Sequence, residues 1–374
     1  MKYFFSTGEA SGESAALALS QTIAQLDPAA EFEGIGSEAM RAAGFSLWRD
    51  HAGWASMGPL AAIPRIPKLL AAMLQTAFHV IASKPDLVVL VDFGVFNLRL
   101  ASTLRRFGYA GPILDLFPPG TWLDNPDKAR RVSALTIPVT AFKHQYDFYR
   151  GLGCRVLFFG HPLADRYAMR SSPTRPPRDG GVVAILPGSR SGELKRHLPV
   201  LAGAYRVLQR RRPKLRGVFA AANAQGVATI GRTIERERLA GTRIARGVPD
   251  ALASADGAWA ASGTAVLETA LAGVPVVALY VIPRVLIWYG RRMVRHRFIT
   301  LPNLVLGREV VPELLQERAT PEALADALEA LLERPQVQYD EFVALRMALG
   351  PGGGLRACAA LAVDLAAGPT PAAS

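Results

Sequence analysis

Glu268 is the single carboxylate in the run "ASGTAVLETALAGVPVV", residues 261–277, whose other side chains are small or apolar. The preceding "WAAS" reads as a strand, Gly263 as a tight turn, and Ala265 to Ala272 as a short helix stopped by Gly273, with Ser262 or Thr264 able to cap its start. Glu268 lies four residues beyond Thr264, about one turn further along the same helical face. A carboxylate there can accept both vicinal hydroxyls of a ribose while Ser262, Gly263, Thr264 and the helix start hold phosphate. "ILPGSR", Ile185 to Arg190, repeats this geometry: an apolar strand ends in a turn through Gly188 and Ser189, whose backbone N–H groups attract phosphate, and Arg190 adds a charge-assisted pair. "PDLVVLVDFGVFN" is a buried strand that delivers Asp92 to its carboxyl end. A carboxylate at that position can deprotonate an attacking hydroxyl once desolvation lifts its pKa above the ordinary ~3.9. "STGEASGES", Ser6 to Ser14, is a glycine- and serine-rich turn into a helix, fit to let a sugar or phosphate approach the backbone around Glu9, Ser11 and Gly12.

Each of these has a plainer reading: Glu268 as a solvated or capping glutamate, Arg190 as a surface arginine after an ordinary turn, Asp92 as a loop cap. His161 in "FFGHPLAD" is as readily a satisfied core histidine as a ligand. The sequence has no D-x-D, HExxH or P-loop motif and its six histidines do not cluster, so no divalent metal is expected. Cys154 and Cys358 stand far apart outside any CxxC or Cys/His pattern, which argues against a disulfide framework or a zinc site.

Positioning these residues requires strands that end together. In the first third, short apolar runs alternate with helix-like segments: "KYFFST" then "GESAALALSQTIAQL", "PDLVVLVDF" then "NLRLASTLRRFG". That alternation predicts βαβ units and a parallel sheet. "SSPTRPPRDGG" breaks the pattern, and "GVVAILPGS" restarts it. The expectation is an α/β protein of two open parallel-sheet domains, residues 1–170 and 182–345, with a linker at 171–181 and a C-terminal helix and tail, 346–374, that can cross back to the first domain. Two such domains would place a cleft between the carboxyl ends of their strands, where ligands bind in open α/β sheets.

Composition narrows the partners. Of 374 residues, the middle segment 171–300 carries 21 Lys and Arg against 7 Asp and Glu, a field that favours nucleotides, lipid headgroups or nucleic acid. No RNP, KH or helix-turn-helix pattern supports nucleic acid. The opening "MKYFFSTGEASGE" has no long apolar stretch, so no secretory signal is expected. No apolar run reaches the roughly 20 residues of a membrane span. "AIPRIPKLLAAMLQTAFHVI" (62–81) and "RVLIWYGRRMVRHRF" (284–298) instead mix basic with large apolar residues, a composition suited to lying on an anionic membrane surface, although helix packing in the core explains the first equally well.

"GEASGE", "GIGSEAM", "MGPLAAI", "PDLVVLVDFGVFN", "FFGHPLAD", "ILPGSRSGEL", "ASGTAVLE" and "LPNLVLGREVVPELLQE" occur in the order and at roughly the spacings of the lipid-A-disaccharide synthases, which the chain resembles from Lys2 to Glu317. These are inverting glycosyltransferases of the two-domain GT-B type. The resemblance implies transfer of 2,3-diacylglucosamine from its UDP donor to 2,3-diacylglucosamine 1-phosphate, giving a β-1,6-linked disaccharide and UDP without a metal cofactor. It also implies a cytoplasmic enzyme bound peripherally at the inner membrane, with acylated sugars as partners and no nucleic acid. Asp92 matches the family's essential aspartate and is the expected general base. Arg190 and Asn303 match residues near the UDP. Ser262, Gly263, Thr264 and Glu268 match the nucleotide-holding turn and acid, and Glu9, Ser11, Gly12, Asn97 and Trp122 fall on the acceptor side. The departures lie there too: Val95 replaces an acid, "PPGTWLD" keeps Trp122 but has Asp124 for a second tryptophan, and "FKHQ" puts Gln145 where an acid is expected. A related GT-B enzyme with another UDP-sugar or lipid acceptor, or a non-catalytic anion-binding protein, are the alternatives.

Overall fold

The computed structural model describes residues 1–8, 10–50, 66–118, 125–167, 180–283, 297–350 and 352–368. They divide into two compact units, Met1–Asp165 with Leu349–Ser374, and Arg166–Ala348.

The first unit runs β1 (Lys2–Ser6), α1 (Ala10–Leu26), β2 (Glu31–Gly36), α2 (Glu38–Ala42), β3 (Ser46–Asp50), α3 (Ile66–Ser83), β4 (Leu87–Val91), α4 (Gly94–Arg106), β5 (Ile113–Leu116), α5 (Pro126–Leu135), β6 (Ile137–Val139), α6 (Lys143–Gly151) and α7 (Pro162–Arg166). Its six strands pair in the order β3-β2-β1-β4-β5-β6, every pair parallel. A parallel strand covered by helices on both faces must be apolar throughout, and all five residues of β4, LVVLV, are fully buried. On one face Tyr3, Phe5, Val89, Val91, Leu114 and Leu116 form one core. On the other, Phe4, Val88, Leu90 and Ile113 meet α3 and α4.

The second unit runs β7 (Gly180–Leu186), α8 (Ser191–Arg211), β8 (Lys214–Ala221), α9 (Ala224–Glu237), β9 (Thr242–Arg246), α10 (Val248–Leu252), β10 (Gly257–Ala261), α11 (Thr264–Leu271), β11 (Val276–Tyr280), α12 (Leu301–Leu306), β12 (Glu313–Leu315), α13 (Pro321–Glu333) and α14 (Gln336–Ala348). Its sheet order, β12-β11-β10-β7-β8-β9, is the same arrangement built a second time. Trp259 is fully buried at its centre and its Nε1 donates to the Leu324 carbonyl at 2.8 Å, fixing α13 to β10. The last helix, α15 (Gly354–Ala367), belongs to the first unit, where Cys358, Ala359 and Ala362 complete the core around Tyr3, Phe5 and Leu19. The unit boundary thus falls at Asp165/Arg166. Of the linker expected at 171–181, residues 171–179 lie outside the described residues, as do 168–170, 284–296 and 369–374.

His161 is a core histidine. Its Nδ1 accepts the Leu163 N–H at 3.2 Å, and its ring packs against Phe142 and Phe117 with centroids 5.0 and 6.4 Å away. Burial holds the imidazole neutral and lowers its pKa to about 4. An unfolded chain takes up that proton near ~6.5, so the stabilisation is complete above pH ~6.5 and is lost as pH falls through about 4. Between pH 6.5 and 5 the wild-type protein is expected to lose about 2 kcal/mol more unfolding free energy than His161→Asn, measured by urea denaturation of the first unit. Equal losses in the two proteins would contradict this account.

Candidate functional site

In each unit the strand order reverses direction between two neighbouring strands, β1 and β4 in the first, β7 and β10 in the second. Connections there leave on opposite faces, so the carboxyl ends of those strands are where a doubly wound sheet binds ligands. Asp92 directly follows β4, and the turn through Gly8 follows β1. Pro187–Arg190 follows β7 and Ser262–Thr264 follows β10.

Asp92 has φ +40°, a left-handed conformation that aspartate visits more readily than most side chains but at a cost of about 1 kcal/mol or more. The chain thereby turns from β4 into α4 with the carboxylate half-buried at the strand end, and the Asp92 N–H donates to Leu116 O at 3.3 Å. Gly12 in the first turn of α1 lies against this corner. A Cβ there would come within 3.1 Å of Val91 O and 3.3 Å of the Asp92 Cβ, so the close approach depends on glycine. Ser6 Oγ donates to Asn97 Oδ1 at 2.8 Å, while Asn97 Nδ2 reaches Ser6 O and Val91 O at 3.5 and 3.4 Å. Glu13, one residue beyond Gly12, accepts from Ser37 N–H at 2.9 Å and Ser37 Oγ at 2.6 Å, which explains why "GIGSEAM" matters to this edge. Asn97 was expected to face the acceptor. It is 2% exposed and its amide is spent tying β1 to β4 beneath Asp92. Glu9, the side chain of Ser11, and Trp122 lie outside the described residues.

In the second unit, Gly188 has φ +103°, and a Cβ there would fall 2.5 Å from Glu193 Oε2. Glu193, in the first turn of α8, bends back to its own helix start. Its Oε2 accepts the Ser189 and Arg190 N–H groups at 3.2 and 3.3 Å and its Oε1 accepts from Arg190 Nη1 at 3.3 Å. This corrects the expectation that those N–H groups receive phosphate: a carboxylate three residues into the helix has taken them. What remains for an anion is the Arg190 guanidinium, 42% exposed. His197, which sequence reasoning passed over, sets the turn's position: Nε2 accepts from Val281 N–H at 3.1 Å, so Nδ1 carries the hydrogen given to Pro187 O at 2.9 Å. Burial lowers this imidazole's pKa as well.

The α11 start is different. Its N-cap, Gly263, offers no side chain, Gly263 and Thr264 are exposed, and no side-chain cap is present. Ser262 Oγ donates to Ile299 O at 3.2 Å. The Ile299 loop is held by Glu313, 9% exposed, which accepts from Ile299 N–H, Thr300 N–H, Thr300 Oγ1 and Asn303 Nδ2 at 2.8 to 3.1 Å. Asn303 is fully buried; its second Nδ2 hydrogen goes to Val311 O, and Oδ1 accepts from Val310 and Val311 N–H. Both amide hydrogens are therefore used, and Asn303 acts on the edge through the loop instead of by direct contact.

Glu268 is half-buried on α11, and burial raises its carboxyl pKa, with the Arg166 charge offsetting part of the rise. The Tyr167 hydroxyl lies beside it, pushed up by its own burial and then by the Glu268 charge. Arg346 pins the backbone at this point, donating to the carbonyls of Tyr167 and Leu271. Sequence spacing found Glu268 but none of these three neighbours, which are remote in the chain and carry no local pattern.

The model of the lipid-A-disaccharide synthetase family matches residues 3–349. The chain is 33% identical over 369 residues to the lipid-A-disaccharide synthase of Syntrophus aciditrophicus, covering 96% of each chain. It is 34% identical to that of Hahella chejuensis, over 95% of this chain and 92% of the other. Among solved structures, the UDP-GlcNAc 2-epimerase of Neisseria meningitidis bound to UDP-GlcNAc aligns with 97% of this chain and 100% of its own at a TM-score of 0.62 and 12% identity. That likeness is one of fold, and the fold is GT-B, two Rossmann-like open sheets.

Removing Glu313 leaves three buried donors and one partly buried donor without an acceptor. Glu313→Ala is expected to lower the unfolding free energy by roughly 3 kcal/mol, read by urea denaturation. A change below ~1 kcal/mol would mean that the loop is held by other contacts.

Proposed function

The chain belongs to the lipid-A-disaccharide synthase family, and from that membership we propose the reaction, the residues that carry it and the place where it runs. The enzyme is an inverting glycosyltransferase that moves 2,3-diacylglucosamine from its UDP donor to the 6-hydroxyl of 2,3-diacylglucosamine 1-phosphate. Asp92 takes the hydroxyl proton as the oxygen attacks the anomeric carbon opposite the diphosphate, so one displacement inverts the configuration and releases UDP. The observation that carries this assignment is Asp92 itself, a half-buried carboxylate on a left-handed backbone at the strand-order reversal. Backbone strain is retained at functional sites because the surroundings impose a geometry that chemistry needs.

Arg190 and the uncapped start of α11 stabilise the charge that develops on departing UDP, and Glu268 accepts the ribose hydroxyls. Charge stabilisation by fixed donors replaces a divalent metal. Asn303 and Glu313 hold the loop that receives Ser262. Asn97 and Gly12 fix the backbone under Asp92.

The substrates are acylated, which places the work at the cytoplasmic membrane surface. In support, α3 exposes Leu70, Leu74 and Phe78 at 37, 42 and 54%, one above another at i, i+4 and i+8. Phe107 extends the ridge, its ring 5.3 Å from that of Phe78, and Lys68 and Arg106 are exposed on α3 and α4. An apolar ridge accompanied by basic residues suits an anionic interface. Among the described residues no helix is long and apolar enough to cross a membrane. The basic stretch 284–296 and Arg65 lie outside the described residues.

In an assay that contains EDTA, wild-type turnover is expected to persist, and Asp92→Asn to reduce it by roughly 10²- to 10⁴-fold, the disaccharide being detected by mass spectrometry. Wild-type rates in that variant would remove Asp92 from the chemistry, and loss of wild-type turnover in EDTA would restore a metal. Leu74→Ser with Phe78→Ser should lower the fraction sedimenting with phosphatidylglycerol-containing vesicles at least about tenfold at an unchanged melting temperature. An unaltered bound fraction would exclude this ridge as the membrane contact.

A further inference from the structure

Asp115 is a buried carboxyl one strand away from the base. It is 5% exposed on β5, opposite Leu90 of β4 and Pro138 of β6. The next residue along, Leu116, pairs with Val91 and receives the Asp92 N–H. Leu114 and Leu116 point into the core shared with α1 and α15, so Asp115 points to the opposite face, the side of Ser6, Leu90 and α4. The titratable groups acting there are Asp92 from the end of β4, and Tyr149 on α6 with Cys154 behind it. α5 brings Ala129 and Val132 to the Tyr149 cluster, and α4 brings Asn97, already committed to β1 and β4. Among the described residues no cation acts on Asp115. Two other polar atoms at this end of the sheet, Tyr149 Oη and Gln145 Oε1, are buried without a hydrogen-bond partner.

A buried carboxyl on which no cation acts, with the charge of a second carboxyl acting on it from the neighbouring strand, holds its proton to higher pH, because a second negative charge at such a place is costly. We propose that Asp115 and Asp92 form a coupled carboxyl pair, in which Asp115 is a positioning residue that sets the proton affinity of the base. The inference rests on the reading of Asp92 as the general base. Burial first, and the Asp92 charge second, raise the Asp115 pKa to about 7. Below that pH Asp115 holds its proton. Above it Asp115 releases its proton to solvent, and the second charge makes Asp92 the stronger base. Titrations coupled in this way belong to the pair, so each carboxyl must respond to removal of the other.

The test uses full-length protein labelled with 13C at the aspartate carboxyls and assigned by through-bond correlation. In the wild type the Asp115 carbon is expected to titrate near pH 7, and in Asp92→Asn its midpoint falls by about one unit. The pH dependence of kcat should show, above the Asp92 limb, a roughly 3- to 10-fold rise near pH 7 that Asp115→Asn lacks. An Asp115 midpoint below pH ~5, a midpoint indifferent to Asp92→Asn, or the same step in Asp115→Asn would overturn the pair. Full turnover by Asp92→Asn with the carbon titrations still coupled would fault the base assignment alone.

Discussion

Parallel pairing is the constraint from which the rest of this structure follows. Six strands that all run one way present all their carboxyl ends at one edge, and every connection must cross a face to return. Where successive connections leave on opposite faces, the edge opens. The chain builds this arrangement twice with the same strand order, and the residues with useful chemistry stand at the two openings: Asp92 with Gly12 at one, Arg190 with Ser262 to Thr264 at the other. The apolar strands below are rigid because they are buried on both faces, so the polar side chains at their ends are held by backbone and not by long flexible tethers.

The buried acids divide according to how the fold satisfies them. Glu13, Glu193 and Glu313 are surrounded by N–H and O–H donors and hold loops in place: the α2 start, the Pro187 turn, and the Ile299 to Asn303 segment. They are scaffold, although each lies within a motif that sequence comparison would mark as functional. Asp115 has no such shell among the described residues, and Glu268 has only the Arg166 charge and the Tyr167 hydroxyl beside it; for both, burial raises the carboxyl pKa. Acids that the protein surrounds with donors fix geometry. Those it leaves without them are the ones whose protonation can change.

Much of this was legible beforehand. Apolar runs followed by Gly, Ser or Asp and then helical sequence located both sheets and put Asp92, Arg190 and Glu268 at or just beyond strand ends, because strand-turn-helix corners are local events with local signatures; the strand order, and with it the two reversals, was not legible. Asn97 and Asn303 were assigned to ligands, yet their amides close hydrogen bonds inside the fold, and nothing in the spacing separates an amide facing outward from one facing inward. Glu313 and Asp115 could have been found by the argument that singled out Glu268, since each is a lone acid in an apolar run, "VVPELL" and "GPILDLF". Arg166, Tyr167 and Arg346 could not, because their meeting with α11 is tertiary. The unit boundary was expected several residues late for a similar reason: the Pro- and Arg-rich composition that suggested a linker begins after the contacts have already changed sides at Asp165.

The C-terminal helix bears on how the protein is made. Its Cys358, Ala359 and Ala362 fill the core around Tyr3, Phe5 and Leu19. During synthesis the first 165 residues therefore leave the ribosome with one wall of their core missing, and the second unit, continuous in sequence, is complete while the first still waits. The unit that begins first finishes last. A nascent chain that stalls before α15 has emerged would hold one folded sheet tethered to an open one with apolar surface exposed, which is the form a chaperone or protease would meet.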